Sequence, residues 1–103
     1  MRIIAKKTLV NFYQKHAVAK AALSAWYGEV LEQNWDKPGD IVQFYATADV
    51  ITGKRFVFNI KGNHYRLVVD VEFKLKIVFI VWVGTHAEYD KIKVEEVKYV
   101  KSN

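Results

Sequence analysis

The 103-residue sequence contains no cysteine, a single proline and no long hydrophobic run. Without cysteine the chain can form neither a disulfide framework, nor a thiolate zinc site, nor a thiol nucleophile. Its longest apolar stretch, residues 77–83, has the length of a strand and is too short to cross a bilayer, and no segment has the pattern of a secretory signal peptide. The sequence therefore predicts a cytoplasmic protein that is neither secreted nor inserted in a membrane.

Acidic residues are absent from two segments of the chain. Residues 1–20 carry five lysines and arginines and no acid, and residues 50–69 carry four and no acid. Over the whole chain, sixteen Lys and Arg against eleven Asp and Glu give a net charge of +5. This excess favours a polyanionic partner such as nucleic acid, the ribosome, an acidic membrane surface or an acidic protein. If the two basic segments meet in space, they form a positive face.

The first half of the chain has the periodicity of helices after a short strand-like start. Apolar residues recur at spacings of three and four from Thr8 to about Asn34. The weakest helical stretch is residues 16–18, so we predict two helices with a break there. Residues 34–40 predict a loop, and residues 41–51 fit either a strand or an irregular crossing.

The second half predicts an antiparallel meander of three or four strands. Residues 55–60 and 64–73 alternate between two faces, and Gly62-Asn63 between them is typical of a two-residue type II′ hairpin turn. Residues 77–83 are continuously apolar, as in a strand buried on both faces. The predicted fold is a single α+β domain over residues 1–103, with helices packed on one face of an antiparallel-rich sheet.

The register of this hairpin gathers polar residues on one face of the sheet. A turn at Gly62-Asn63 pairs Lys61 with His64 and Asn59 with Arg66, while the opposite face is entirely apolar or aromatic. A slip of one residue would place Arg66 in the core, so the register is well specified.

The next strand returns to the same end of the sheet. There Thr85-x-x-Glu88 has the pattern of a capping box, which predicts a short helix with His86 at its first position and Tyr89 on the same side. The free N–H groups of a helix N-terminus also predict an anion site.

Two distant segments therefore converge on one candidate site, which contains Lys61, His64, Arg66, His86 and Tyr89. Arginine can neutralise the non-bridging oxygens of a phosphodiester, histidine or lysine can transfer protons, and tyrosine can stack on a base. The three histidines have no metal-ligand spacing and no acidic cluster accompanies them, so we expect no metal and no cofactor. Taken singly, each residue is also explained as solvated surface or as packing; their convergence favours a site.

Two blocks of sequence resemble the HigB-type toxins of bacterial type II toxin–antitoxin systems, within the RelE/ParE superfamily. They are F-N-I-K-G-N-x-Y-R-L at residues 58–67 and G-T-H-x-E-Y-D-K at residues 84–91. The resemblance covers about residues 2–92 and leaves residues 93–103 as a tail outside the pattern. It implies a RelE-like fold, with two N-terminal helices packed on one face of the sheet and a short C-terminal helix.

The resemblance also implies an activity: a ribosome-dependent mRNA interferase, an endoribonuclease that cleaves mRNA in the ribosomal A site and arrests growth. In such enzymes the 2′-hydroxyl attacks the adjacent phosphate without a metal, leaving a 2′,3′-cyclic phosphate and a 5′-hydroxyl. The implied partners are the ribosome, mRNA and a cognate HigA-type helix-turn-helix antitoxin, through which the toxin contacts DNA only indirectly.

By the same resemblance, Arg66 would stabilise the phosphate and Tyr89 would stack on or orient a nucleotide. His86 would be the general acid, and either Lys61 or His64 the general base. Four basic residues would contact ribosomal RNA: Lys6, Lys7, Lys54 and Arg55.

Two other functions remain open at this point. A ParE-like gyrase inhibitor belongs to the same superfamily but performs no nuclease chemistry, and a non-catalytic RNA- or ribosome-binding module would bind without cleaving. The polar cluster distinguishes a nuclease from a gyrase inhibitor, because a nuclease needs these side chains and a gyrase inhibitor does not.

Overall fold

The structure, a computed structural model of the chain, describes residues 1–99. The elements follow in the order β1 (Arg2–Ile4), α1 (Lys6–Lys15), a 3-10 helix (Ala17–Ala19), α2 (Lys20–Leu31), α3 (Pro38–Phe44), β2 (Asp49–Val50), β3 (Arg55–Ile60), β4 (Tyr65–Glu72), β5 (Ile77–Thr85) and α4 (His86–Tyr89). The strands form one sheet in the order β1-β5-β4-β3-β2. All neighbouring pairs are antiparallel except β1 with β5. The predicted α+β class with an antiparallel-rich sheet is confirmed.

The predicted break between the N-terminal helices is also confirmed. His16 leaves the helical region with φ −125° and ψ 72°, and a 3-10 turn at Ala17–Ala19 leads into α2. Ala19 is fully buried, so this turn fixes where α2 starts against the sheet.

Residues 38–44 form a helix that the sequence did not predict. Pro38 opens α3, where its missing N–H costs nothing because the first helical N–H groups have no partner within the helix. The negative charge of Asp40 in the first turn interacts favourably with the positive end of the helix dipole. Ile41 is fully buried in the core. The prediction of a loop over residues 34–40 was therefore wrong from Pro38 onward. Of residues 41–51, only Asp49–Val50 form a strand.

The main core lies between the helices and one face of the sheet. The helices contribute Leu9, Leu23, Trp26, Val30 and Ile41, which pack against the inward residues of the strands. These inward residues are the ones that the alternation predicts: Phe56, Phe58, Ile60, Tyr65, Leu67 and Val69. The helices thus cover one face of the sheet, as predicted.

The opposite face of the sheet carries a second, smaller apolar cluster. Val57, Val68 and Val81 are buried there. Val81 is the extra residue of a β-bulge, because Val68 pairs with Trp82 whereas Val69 pairs with Ile80. The alternation predicted this face to be mainly polar, but it is partly apolar. Another segment of the chain must therefore cover its apolar residues and shield them from solvent.

The segment after α4 supplies part of this cover. Val94 and Val97 pack on the second cluster, and the ring of Tyr99 lies 5.1 Å from that of Phe79. The tail, which lay outside the sequence pattern, is thus part of the packed structure up to residue 99, and its residues 100–103 lie outside the described part. Over residues 1–99 no helix has the length and apolar character needed to cross a membrane.

Candidate functional site

The hairpin between β3 and β4 has the predicted register. Asn59 pairs with Arg66, and Ile60 pairs with Tyr65. At the turn Gly62 has φ +65°, the left-handed conformation that glycine adopts without steric cost. Lys61 is also left-handed, with φ +52°. The strands end at Ile60 and begin again at Tyr65, so the predicted two-residue turn with Lys61 paired to His64 was wrong, and residues 61–64 form a four-residue loop.

The end of β5 lies beside the start of β4, as predicted. Arg66 pairs with Gly84 and Tyr65 with Thr85, and the backbone N–H of His86 donates to the carbonyl of His64 at 2.9 Å. Gly84 is required here, because a β-carbon at this position would overlap the indole ring of Trp82.

The predicted capping box at the start of α4 is present. The Thr85 hydroxyl accepts from the Glu88 N–H at 3.1 Å, and the Glu88 carboxylate accepts from the Thr85 N–H at 2.8 Å. With the His86 N–H bonded to His64 as well, the first N–H groups of this four-residue helix are largely used within the protein. These bonds leave few free N–H groups for the predicted anion site at this helix N-terminus, which stays a prediction.

Arg66 is the centre of the site. It is 8% exposed, the only buried charged residue among residues 1–99. Its Nη1 donates to the carbonyls of Asn63 at 3.3 Å and Tyr65 at 3.2 Å. Its Nη2 donates to the side-chain oxygen of Asn63 and lies 2.7 Å from His86 Nδ1. These contacts satisfy an arginine that would otherwise be costly to bury.

The contact with Arg66 determines which ring nitrogen of His86 carries a proton. A guanidinium has only donors, so Nδ1 must accept, and the imidazole is neutral with its proton on Nε2. Nε2 lies 3.4 Å from Oδ2 of Asp90, four residues on. The His86 side chain is 45% exposed, so one edge of the ring is open to a ligand.

Tyr89 completes the cluster. Its ring centre lies 5.8 Å from the Arg66 guanidinium carbon, within cation–π range, and its ring is 6.2 Å from that of Trp82. Burial raises the pKa of Tyr89, the nearby carboxylate of Asp49 adds to this, and Arg66 opposes it. The phenol therefore stays protonated at neutral pH and can donate a hydrogen bond, but cannot act as a base.

The structure brings Arg66, His86 and Tyr89 together, but it leaves the other two predicted site residues apart. Lys61 and His64 are exposed, and within residues 1–99 neither side chain has a hydrogen bond or ion pair to this cluster. The ring of His64 lies 6.3 Å from that of Tyr65. Both remain at the same end of the sheet, within the hairpin loop.

Two residues of the cluster escaped the sequence reasoning. Asn63 was treated only as a turn residue, yet it gives two acceptors to Arg66. Asp90 was given no role, although its spacing of four from His86 is the spacing at which side chains meet on a helix. The contact of Asp90 with His86 could have been predicted from the sequence spacing. The contacts of Asn63 could not, because they depend on how the Arg66 side chain folds back over the turn.

The four predicted RNA-contacting residues have different surroundings. Lys6 and Lys7 are exposed on α1, and the Lys6 ammonium lies 4.8 Å from the ring centre of Tyr27. Lys54 forms a 2.8 Å ion pair with Glu72, with both side chains more than half exposed at 58% and 53%.

Arg55, by contrast, is engaged inside the protein. Its Nε and Nη2 bind both oxygens of Asp70 at 2.7 and 2.9 Å, and its Nη1 donates to the carbonyls of Val94 and Val97 at 3.0 and 2.6 Å. Its side chain is 12% exposed. These surroundings favour a structural role, holding the C-terminal segment on the sheet, over contact with RNA.

The arrangement suits an anionic, phosphate-containing ligand better than a metal. It presents a buried guanidinium, a half-exposed imidazole and a protonated phenol at one end of the sheet. In the described part of the chain, no three of the His, Asp and Glu side chains cluster so as to hold a metal ion.

Comparison with known proteins gives the family. A model described as HigB toxin, RelE-like toxic component of a toxin–antitoxin system, matches residues 19–92. The mRNA interferase toxin HigB of Escherichia coli (strain K12) is 30% identical over 92 residues, which cover 87% of this chain and 88% of that protein. The mRNA interferase HigB of Escherichia coli O6:H1 is 27% identical over 94 residues, covering 89% and 91%. The chain belongs to the HigB family of RelE-like toxins of toxin–antitoxin systems.

Proposed function

We propose that this protein is an mRNA interferase, an endoribonuclease that cleaves mRNA in the ribosomal A site and thereby arrests growth. The observation that carries the proposal is the buried arginine Arg66 held 2.7 Å from the half-exposed imidazole of His86. A positive charge fixed beside a proton-transferring group is what phosphodiester cleavage needs. The relatives that bear the name mRNA interferase support the same substrate.

In the proposed cleavage reaction the attacking group belongs to the RNA itself. The 2′-oxygen attacks the adjacent phosphorus, the bond from phosphorus to the 5′-oxygen breaks, and a 2′,3′-cyclic phosphate and a 5′-hydroxyl result. Arg66 neutralises the charge on the non-bridging oxygens. His86 delivers a proton to the departing 5′-oxygen. Lys61 or His64, exposed in the hairpin loop, accepts the proton of the 2′-hydroxyl.

Tyr89 has a supporting part in this scheme. Its ring lies against the Arg66 guanidinium, and its protonated hydroxyl is available to orient a nucleotide. A nucleotide base stacked on this ring would lie beside the scissile phosphate.

The ribosome has a specific part in this proposal. The cluster offers one arginine, and that arginine is already largely occupied, so the protein alone has little with which to hold a flexible strand in line for attack. Correct alignment of reacting groups can supply roughly 7–11 kcal/mol of a barrier. A ribosome that holds the mRNA extended between codons supplies this alignment.

Charge brings the protein to its target. The net charge is +5, and Lys6 and Lys7 are exposed cations on α1, so they remain our proposed contacts with ribosomal RNA. Lys54 can contribute once it exchanges Glu72 for a phosphate, because their exposed ion pair is weak.

Membership in a toxin–antitoxin family implies an antitoxin. We assign this partner to the HigA type, with a helix-turn-helix domain through which the complex contacts DNA. The toxin itself acts where ribosomes are, in the cytoplasm.

A gyrase inhibitor and a non-catalytic ribosome-binding module are the alternatives. The experiment that separates them is induction of the chain in a bacterium with mapping of mRNA 5′ ends, beside a gyrase supercoiling assay. We expect new 5′-hydroxyl ends within translated codons and unchanged supercoiling. Inhibited supercoiling with intact mRNA would favour the gyrase inhibitor, and growth arrest with neither effect would favour the binding module.

A further inference from the structure

Arg66 has almost no free hydrogen-bonding capacity in this structure. A guanidinium has five N–H groups. Both hydrogens of Nη2 are used, by the Asn63 side chain and by His86 Nδ1, and Nη1 donates to two backbone carbonyls. Only the Nε–H has no partner within residues 1–99. A phosphate bound by two parallel hydrogen bonds, the arrangement that arginine favours, therefore needs one of the existing contacts to be given up.

His86 is the partner that a phosphate can most readily replace. The other acceptors of Arg66 are backbone carbonyls and the amide oxygen of the hairpin loop, which belong to the adjoining residues 63 and 65. His86 is held to Arg66 by one hydrogen bond, and its side chain is 45% exposed. A phosphate offers the guanidinium an anionic acceptor that can take two parallel hydrogen bonds, whereas the imidazole nitrogen offers one uncharged acceptor, so the phosphate is the stronger competitor.

The arrangement also creates a difficulty for the proposed chemistry. A general acid must carry a transferable proton, but His86 Nδ1 accepts a hydrogen bond from Arg66 and so carries none. Its other nitrogen faces the carboxylate of Asp90 at 3.4 Å. In the structure as it stands, Nδ1 of His86 is blocked by the same residue that would bind the phosphate.

We propose that the RNA phosphate itself removes this block, by displacing His86 from Arg66 and so enabling Nδ1 to take up a proton. The phosphate accepts the hydrogen bond from Nη2 that His86 gives up. The released Nδ1 takes a proton from solvent, and the carboxylate of Asp90 beside Nε2 stabilises the resulting imidazolium. On cleavage this Nδ1 proton passes to the 5′-oxygen. This inference rests on the proposed nuclease function. It adds that substrate binding enables His86 to act as the general acid.

The charged and titratable groups around His86 are compatible with this sequence of events. Arg66 approaches from β4, Tyr89 lies on α4, and Asp90 directly follows that helix. Only the backbone carbonyl of His64, in the hairpin loop, contacts His86 among the described residues. With the phosphate on Arg66, the imidazole has two anionic neighbours, the phosphate itself and the Asp90 carboxylate 3.4 Å from Nε2, and both stabilise an imidazolium.

Asn63 is the positioning residue in this mechanism. It occupies one hydrogen of Nη2 and one of Nη1, so an incoming phosphate finds the second Nη2 hydrogen only by displacing His86. Removal of the Asn63 side chain frees an Nη2–H, and the phosphate can then bind Arg66 while His86 stays blocked. We expect Asn63→Ala to leave KM nearly unchanged and to lower kcat roughly tenfold, the effect of about one lost interaction.

The direct test is the protonation of the imidazole nitrogens, read from long-range proton–nitrogen NMR spectra of the full-length protein, with inorganic phosphate as the probe. We expect His86 to show an unprotonated Nδ1 and a protonated Nε2 without phosphate, and a shift of Nδ1 toward the protonated form as phosphate is added. The exposed His64 is the reference in the same spectrum. A protonated Nδ1 before phosphate is added, or a His86 that phosphate never shifts, would overturn the proposal.

Substitutions test the roles of Arg66 and Asn63 separately. In Arg66→Gln the His86 signals should no longer follow phosphate, and an unchanged response would mean that Arg66 is not the mediator. Asn34→Ala, the same kind of change at an exposed position, should alter nothing. Equal kcat for Asn63→Ala and the unmodified chain would remove Asn63 from the mechanism.

Failure of this proposal is distinguishable from failure of the proposed function. Ribosome-dependent cleavage with a His86 that ignores phosphate would refute the displacement and leave the nuclease intact. No cleavage on ribosomes at all would refute the nuclease, whatever His86 does.

Discussion

Nη2 of Arg66 lies 2.7 Å from Nδ1 of His86, and this hydrogen bond joins β4 to the first residue of α4, twenty positions later in the chain. It exists because the register between β4 and β5 places Arg66 opposite Gly84, two residues before His86. The catalytic proposal depends on this pair. The first two predictions concern Arg66 itself and the ring of Tyr89 that lies against it.

Replacement of Arg66 by alanine should abolish toxicity. Loss of one preorganised donor to a transition state typically lowers kcat by about 10²–10³-fold. The measurement is growth after induction in a bacterium, with circular dichroism of the purified variant as the control for folding. Arg2→Ala removes an arginine that is exposed and should leave growth arrest intact. A correctly folded Arg66→Ala that still arrests growth would show that Arg66 is not catalytic.

Tyr89 should be needed for its ring more than for its hydroxyl. The ring lies against the Arg66 guanidinium, a contact worth about 0.5–2 kcal/mol, while burial raises the pKa of its phenol and so keeps the hydroxyl protonated at neutral pH. We therefore expect Tyr89→Phe to keep most of the cleavage rate and Tyr89→Ala to lose about tenfold or more, measured on programmed ribosomes. A greater loss in Tyr89→Phe than in Tyr89→Ala would contradict this assignment.

The tail should depend on Arg55 for its place on the sheet. Arg55 is held by Asp70 and binds the carbonyls of Val94 and Val97, so Arg55→Ala leaves partly buried acceptors without a donor. The expected loss in the free energy of unfolding is about 1–3 kcal/mol, measured by urea denaturation, with faster proteolysis after residue 92.

Lys54→Ala is the matched control for this prediction. It removes the neighbouring basic residue, whose ion pair with Glu72 is exposed, and it should not change stability measurably. Equal stability of the two variants would mean that the Arg55 contacts do not hold the tail.

Binding to ribosomes should weaken steeply with salt. The acid-free segments and the net charge of +5 predict binding through phosphate contacts, each of which releases counterions from the nucleic acid. Sedimentation with ribosomes over a series of potassium chloride concentrations measures the slope. A double variant in which Lys6 and Lys7 are alanine should show a shallower slope, and an affinity that does not respond to salt would refute an electrostatic mode of binding.

The sequence predicted the parts of this structure that depend on local pattern. The alternation of residues 55–60 and 64–73, with glycine at a left-handed position, was enough for the register that pairs Asn59 with Arg66. The spacing of Thr85 and Glu88 was enough for the capping box. Both signals act over a few residues, so the rest of the fold does not override them.

Features that depend on long-range packing were not predicted. Pro38 and Gly39 are typical of a loop, but Ile41 finds a place in the core and makes the segment helical. Val57 and Val68 on the outer face were the signal that this face needs a cover, and their partner was a tail without any recognisable pattern. The burial of Arg66 accompanies the fold-back of its side chain onto Asn63 and His86, which no spacing in the sequence reveals.

The most direct test of the central claim is cleavage of a short synthetic mRNA by the purified protein, with and without programmed ribosomes. We predict cleavage only on ribosomes, with 2′,3′-cyclic phosphate ends, abolished by His86→Ala and retained by Trp35→Phe, which alters a core residue outside the site. Efficient, sequence-specific cleavage of the naked RNA, or undiminished cleavage by His86→Ala on ribosomes, would contradict the account.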